Sequence, residues 1–452
     1  MISLKGARVI VVDDDRSEAI PILHAFARKG IPAAFFDGTI GALPTKKYRL
    51  SGVRLAILDM DLIGGGVPDK SKAAHLVNYL GKILSVDNGP YAVLIWTKHQ
   101  ELRELFENYL QAAGNIPRPL FSVMITKREC KNKKGNFNLR VLSTRIEESL
   151  AEVSPLLFLQ SWEEKCFTSA TEVTNTLASL AAENAGDFTT WRNNWKSRLL
   201  ELMHAMAEAE AEKNLDCDSC LSGLYASLNP LHADRMESQC AELSISLGKY
   251  ATEILQASAD CGVPRKARVN TMLHLAFDKL DKFHPGNLYK VAGKRKPKLI
   301  LSKNQLIDDL AQLQKDSNKT PEENARIIAD TKNELASEST HVLIETSAAC
   351  DHAQRNIRVA RFIAGLLVPI SKCKKMKRKT NFIWEFGPLS LNQPTAEKGQ
   401  YYLFLSARHV ETLNLNQAMN LKAIARLRSQ ALTDLQAWFN QHSNRPGVML
   451  LR

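Results

Sequence analysis

At 452 residues, 44% of them hydrophobic and 24% charged, the chain has the make-up of a globular protein with two or three domains and ample length for buried cores. No apolar run reaches the length of a membrane-spanning helix, Met1-Ile-Ser-Leu-Lys5 runs straight into a strand pattern, and the eight scattered cysteines make no disulfide framework, so a reducing, cytoplasmic setting is expected. The net charge of +12 admits an acidic partner such as nucleic acid, yet the basic runs at 131–134, 294–298 and 372–379 hold much of the excess without interleaved aromatics, and solvated loops are the expected reading.

In chain order, Ala7-Arg-Val-Ile-Val-Val12 is a β-branched strand that stops at Asp13, Asp14 and Asp15. The spacing predicts a helix over 16–29 with Gly30 as its stop, then a second strand over 31–36. A third strand over 53–58 runs into Asp59, then Asp61, then three glycines at 64–66. A helix over 73–84 follows, and a fourth strand over 91–97 ends in the Thr97 hydroxyl. A helix over 101–113 leads to a fifth strand over 120–126 that ends at Lys127, and a helix over 139–150 closes the unit. Strands alternating with helices predict an α/β fold with a doubly wound, parallel, five-stranded sheet, receiver-like and flavodoxin-like, as a first domain over 1–150.

Each of those strand ends carries a chemical group. In a parallel sheet the carboxyl ends share one edge, so Asp13 or Asp14, Asp59, Thr97 and Lys127 are expected to converge. The bland alternative for an aspartate there is a cap on the following helix. Clustered carboxylates repel and call for a cation, and oxygen donors suit Mg²⁺. Asp13, Asp14, Asp59 and the backbone carbonyl of Asp61 are the expected metal ligands. Asp59 would then act as nucleophile toward a phosphoryl group whose charge Mg²⁺ and Lys127 offset, with the Thr97 hydroxyl on a phosphoryl oxygen.

The set resembles the receiver domain of bacterial response regulators. Val9-Ile-Val-Val-Asp-Asp-Asp15 is similar to that family's opening strand and acid pair, and Ala56-Ile-Leu-Asp-Met-Asp-Leu62 to its phospho-acceptor segment. Val93-Leu-Ile-Trp-Thr97 is similar to its switch hydroxyl and Met124-Ile-Thr-Lys127 to its lysine. The resemblance implies phosphorylation of Asp59 by a partner histidine kinase with Mg²⁺. Lys98, Arg128, Met124 and Ile63 depart from the family pattern, which puts its standard output surface in doubt rather than the chemistry.

From 154 to about 337 the pattern is helical, with amphipathic stretches over 162–183 and 188–213, breaks around Asn229-Pro230, Cys261–Pro264 and His284–Asn287, and a helix start at Thr320-Pro-Glu-Glu323. A helical domain over 151–338 is expected. Cys217-Asp-Ser-Cys220, with His232 and Cys240 downstream, reads either as a zinc site of non-standard spacing or, preferably, as incidental cysteines. Strands over 342–346, 359–369, 381–386 and 401–405, a helix over 421–439 and a last strand over 448–451 predict a small C-terminal α+β domain over 339–452. There Cys350, Asp351 and His352 form either a ligand cluster or a structural turn.

His284-Pro-Gly-Asn-Leu-Tyr289, Cys350-Asp-His-Ala-Gln354 and Asn444-Arg-Pro-Gly447 resemble segments of receiver proteins from bacterial anti-phage operons, among them the phosphorelay-type system called Detocs. That resemblance implies a regulator or phosphate sink whose partners are a sensor kinase and another response regulator or effector. The chain is thus expected to be a signalling protein, not an enzyme beyond a receiver's own phosphorylation and dephosphorylation. A DNA-binding regulator, a degenerate receiver used as a scaffold, and a Mg²⁺-dependent nuclease or phosphohydrolase are the other readings. No basic recognition-helix pattern favours the first, and no second catalytic set is visible in 150–452 for the last.

Overall fold

The computed structural model describes residues 7–62, 67–97, 102–132, 138–151, 154–182, 188–211, 216–246, 248–257, 262–278, 280, 283–291, 303–347, 352, 357–373, 382–391 and 399–443. The chain divides into two compact units, Met1–Ala257 and Ser258–Arg452. The expected boundary at 150 therefore falls inside the first unit and that at 338 inside the second. The basic runs at 294–298 and 374–379, the strand expected over 448–451, and the Asn444–Gly447 motif lie outside the described residues.

The first unit opens with strands β1 (Val9–Val12), β2 (Ala33–Phe36), β3 (Leu55–Asp59), β4 (Ala92–Thr97) and β5 (Phe121–Thr126). They form one sheet in the order β2-β1-β3-β4-β5, every neighbouring pair parallel. Helices α1 (Arg16–Ala27), α2 (Asp69–Ile83), α3 (Leu102–Ala112) and α4 (Leu139–Ala151) connect and follow the strands. Alternate strand residues feed two cores. Ile10, Val12 and Leu58 pack with Leu76, Leu80 and Phe106 from α2 and α3. Val9, Val11 and Ile57 pack with Ile22 and Phe26 of α1 and Ile146 of α4. Burial on both faces explains why β1 and β3 are unbroken apolar runs without polar alternation. Asp15 caps α1 by accepting from the Ser17 amide at 2.8 Å, and Gly30, at φ +70°, takes the left-handed turn beyond its end.

Three long helices complete most of this unit: α5 (Ser154–Ala182), α6 (Phe188–Ala211) and α7 (Cys217–Ser246), followed by the short α8 (Gly248–Gln256). Glu163 of α5 takes Arg8 Nη1 at 3.0 Å and Arg54 Nε at 2.8 Å, clamping the helix to the amino-terminal ends of β1 and β3. The helices α6 and α7 cross closely, because a side chain on Gly223 would begin 2.8 Å from the Ala207 carbonyl oxygen. The break expected at Asn229-Pro230 is absent: α7 runs through Pro230, which withholds only one donor from a 30-residue helix.

In the second unit, α9 (Val263–His274) leads to a seven-stranded antiparallel sheet of order β10-β11-β9-β8-β7-β12-β6. Its strands are β6 (Leu275–Ala276), β7 (Asn287–Lys290), β8 (Thr340–Glu345), β9 (Val359–Pro369), β10 (Ile383–Ser390), β11 (Gln400–Asn414) and β12 (Ala423–Leu427). Helices α10 (Lys303–Gln312) and α11 (Pro321–Glu338) join Phe362, Leu366 and Phe404 in one core. On the other face, Ala431 and Leu435 of the final helix, Ser429–Ser443, meet Ile344, Ile363 and Leu405. The 421–439 stretch is thus not one helix. Ala423–Leu427 alternates buried and half-buried residues and pairs with β6 and β7, two short strands from a region read as helical. Thr320 and Glu323 form a reciprocal capping box at the start of α11, as the motif predicts.

Candidate functional site

The carboxyl edge of the parallel sheet gathers Asp13, Asp14, Asp59 and Lys127, while the side chain of Thr97 lies outside the described residues. The β1 end supplies Asp13, fully buried, and Asp14, exposed; the β3 end supplies Asp59, 4% exposed. One carboxylate oxygen from each lies within 4.8 Å of the others, close enough that together they could hold a metal ion. Lys127, just past β5, sends its ammonium between them: Nζ is 2.7 Å from Asp59 Oδ2 and 3.5 Å from Asp13 Oδ2. Two backbone amides complete the frame, Asp15 donating to Asp13 Oδ1 at 2.8 Å and Asp61 to Asp59 Oδ1 at 3.1 Å. Thr97 is the last residue of β4, in register with Thr126 of β5 beside the Asp59–Trp96 pair of β3 and β4.

Three further residues escape the strand-end reading. Glu18, one turn into α1, accepts from Lys127 and, at 3.0 Å, from Lys131 Nζ. Lys72, in the first turn of α2 and 9% exposed, donates to Asp61 Oδ1 at 2.6 Å. The only sequence signals were spacings: Glu18 stands four residues after Asp14 and Lys131 four after Lys127.

Burial governs the electrostatics. It pushes the Asp13 carboxyl up to about 7, helped by the neighbouring Asp59 charge and opposed by Lys127. Asp59 is raised too, by burial first, against the pull of Lys127. Burial works against the Lys127 ammonium, but Asp59, Glu18 and Asp13 outweigh it and hold its pKa above the ordinary lysine value. Glu18 is lowered, because hydrogen bonds from Lys127 and Lys131 overcome its burial.

Asp13 and Asp59 are both buried carboxyls, and three oxygen donors this close suit a small hard dication. The residues present therefore fit Mg²⁺. Asp13, Asp14 and Asp59 would hold it, with the carbonyl of Asp61, in the turn after β3, as the further expected donor.

The two C-terminal motifs also meet. His352 Nε2 lies 3.0 Å from Oε2 of the fully buried Glu345, and its ring stacks on His284 at 6.3 Å and on Phe283 at 5.1 Å. Asn287 donates to the Tyr289 hydroxyl at 3.1 Å. Cys350 and Asp351 lie outside the described residues. The CxxC opens α7 with free thiols, Cys217 exposed. His232 is twelve residues further along the same helix, on the order of 18 Å away, so these residues do not share a tetrahedral zinc.

The fold and edge together define the class: a doubly wound parallel α/β domain, fitting a receiver-like or Rossmann-like fold, with an acidic pocket at its carboxyl edge. No protein-family model matches the sequence, and no curated protein matches it. Among solved structures it is similar to a de novo designed Rossmann 2x3 fold protein determined by solution NMR, at 12% identity and a TM-score of 0.19, over 32% of this chain and 90% of that one. At that score the likeness carries nothing toward function. No helix among the described residues is long and apolar enough to cross a membrane.

Proposed function

We propose that the first unit is a receiver that takes a phosphoryl group onto Asp59 from the phosphohistidine of a partner sensor histidine kinase. A carboxylate oxygen of Asp59 attacks phosphorus, the phosphorus–nitrogen bond breaks, and the imidazole keeps the electron pair and a proton. Mg²⁺, when bound, offsets the charge of the transferred group. Lys127 supplies the buried counter-charge beside the acceptor, and the Thr97 hydroxyl is the expected donor to a phosphoryl oxygen once transfer is complete. The chain's own catalysis is limited to gaining and losing that group. Following the resemblance of its motifs, its place is an anti-phage phosphorelay, as regulator or phosphate sink, with another response regulator or effector as further partner.

What supports the reading is one observation: Asp13, Asp14, Asp59 and Lys127, from three separate strand ends, share one pocket. Its test is incubation with acetyl phosphate and Mg²⁺, read by intact mass, for wild type and Asp59→Ala. A phosphoryl adduct on wild type alone is expected. No adduct under any condition refutes it in favour of a degenerate receiver used as a scaffold.

A further inference from the structure

The strand-end groups leave a second ammonium at the site unused. Lys72 enters from α2, which packs in the sheet core other than the one α1 joins, and is nearly buried. Its Nζ donates to Asp61 Oδ1 at 2.6 Å, and the amide of the same Asp61 donates to Asp59 Oδ1 at 3.1 Å. A two-bond bridge thus links Lys72 to the acceptor carboxylate, on the oxygen that Lys127 leaves alone.

A phosphoryl group brings added negative charge into a pocket already crowded with Asp13, Asp14, Glu18 and Asp61. Lys127 is already shared among Asp59, Asp13 and Glu18. We propose that Lys72 is a second phosphoryl-binding cation, held ready by Asp61 and drawn toward the modified Asp59. This rests on Asp59 being the acceptor. Hydrolysis, the step it would slow, has water attack phosphorus and the bond from phosphorus to the Asp59 oxygen break. The carboxylate is regenerated, and inorganic phosphate and a proton leave. An ammonium bonded to the phosphoryl oxygens favours the bound group and occupies space that water needs.

The arrangement predicts opposite effects from the two partners of one ion pair. The probe is acetyl phosphate with Mg²⁺, and intact mass follows both the growth of the adduct and its decay after desalting. Lys72→Met removes the cation and leaves Asp61 facing the incoming charge, so adduct should form about tenfold more slowly and decay faster. Asp61→Asn keeps the amide bond to Asp59 but releases Lys72, so adduct should form at least as fast as in wild type and outlast it. Lys72→Arg should behave as wild type. Were the pair merely structural, both variants would move the same way; that result, or no change in either, overturns the proposal. A wild type that takes no phosphoryl group at all fails the acceptor reading first, and this inference with it.

Discussion

Lys127 Nζ and Asp59 Oδ2 stand 2.7 Å apart, although 68 residues separate them and each is less than 5% exposed. The pair exists because two parallel strands, β3 and β5, stop at the same edge with β4 between them. Desolvating both charges is costly, and three carboxylates around one ammonium recover the cost only together. Removing the ammonium is therefore more damaging than the count of contacts implies.

Lys127→Met should lower unfolding stability at neutral pH by about 3 kcal/mol, the usual loss when a buried ion pair keeps only one partner. Mg²⁺ should recover part of that loss by supplying the missing charge. Urea unfolding with and without Mg²⁺ measures both; an unchanged midpoint would show that Lys127 is not the counter-charge.

Asp13 sets a pH dependence of definite sign. Its folded value of about 7 lies above its unfolded value of 3.8, so between these the folded chain binds more protons than the unfolded one. The Asp13 contribution is fully present below pH 4 and is lost as the pH rises through about 7. Without divalent cation, that contribution should fall over this window. Stabilisation by Mg²⁺ should grow over the same window, since the ion binds the deprotonated form. Asp13→Asn should flatten both slopes in thermal unfolding followed from pH 5 to 8.

Glu163→Gln should loosen α5 from the amino-terminal edge of the sheet without touching the opposite, acidic edge. Glu163, Arg8 and Arg54 are partly exposed, so the cost should be about 1 kcal/mol. Faster amide exchange in the first turns of α5, with Mg²⁺ affinity unchanged, is the expected signature. A large loss of Mg²⁺ affinity would contradict the separation of the two edges.

Gly365 lies in β9, where an added Cβ would sit 2.2 Å from the Phe404 carbonyl oxygen. The neighbour is strand backbone and cannot swing aside. Gly365→Ala should destabilise the second unit by about 3 kcal/mol, seen as an early unfolding transition. The first unit's Mg²⁺ response should persist.

Much of the first domain was legible because its signals are local. Runs such as Val9–Val12 and Leu55–Asp59 are buried on both faces, and each is followed by an acid and then a helix start. The second unit was less so. Leu275–Ala276 and Asn287–Lys290 are too short to stand out, and without them Ala423–Leu427 had no visible edge to pair with. A stretch whose strand partners are hidden reads as helix when its neighbours are helical.

The amino-acid order alone determined the alternation of strands and helices and, through the shared direction of parallel strands, that Asp13, Asp59, Thr97 and Lys127 end at one edge. It did not determine which side chains would fill the space around them. Glu18 reaches Lys127 and accepts from Lys131 as well, and Lys72 reaches Asp61, across distances set by how α1 and α2 pack on the sheet. Helix rotation and depth depend on core contacts far along the chain, so only the tertiary structure decided that three further charges, Glu18, Lys131 and Lys72, would join the groups around the acceptor.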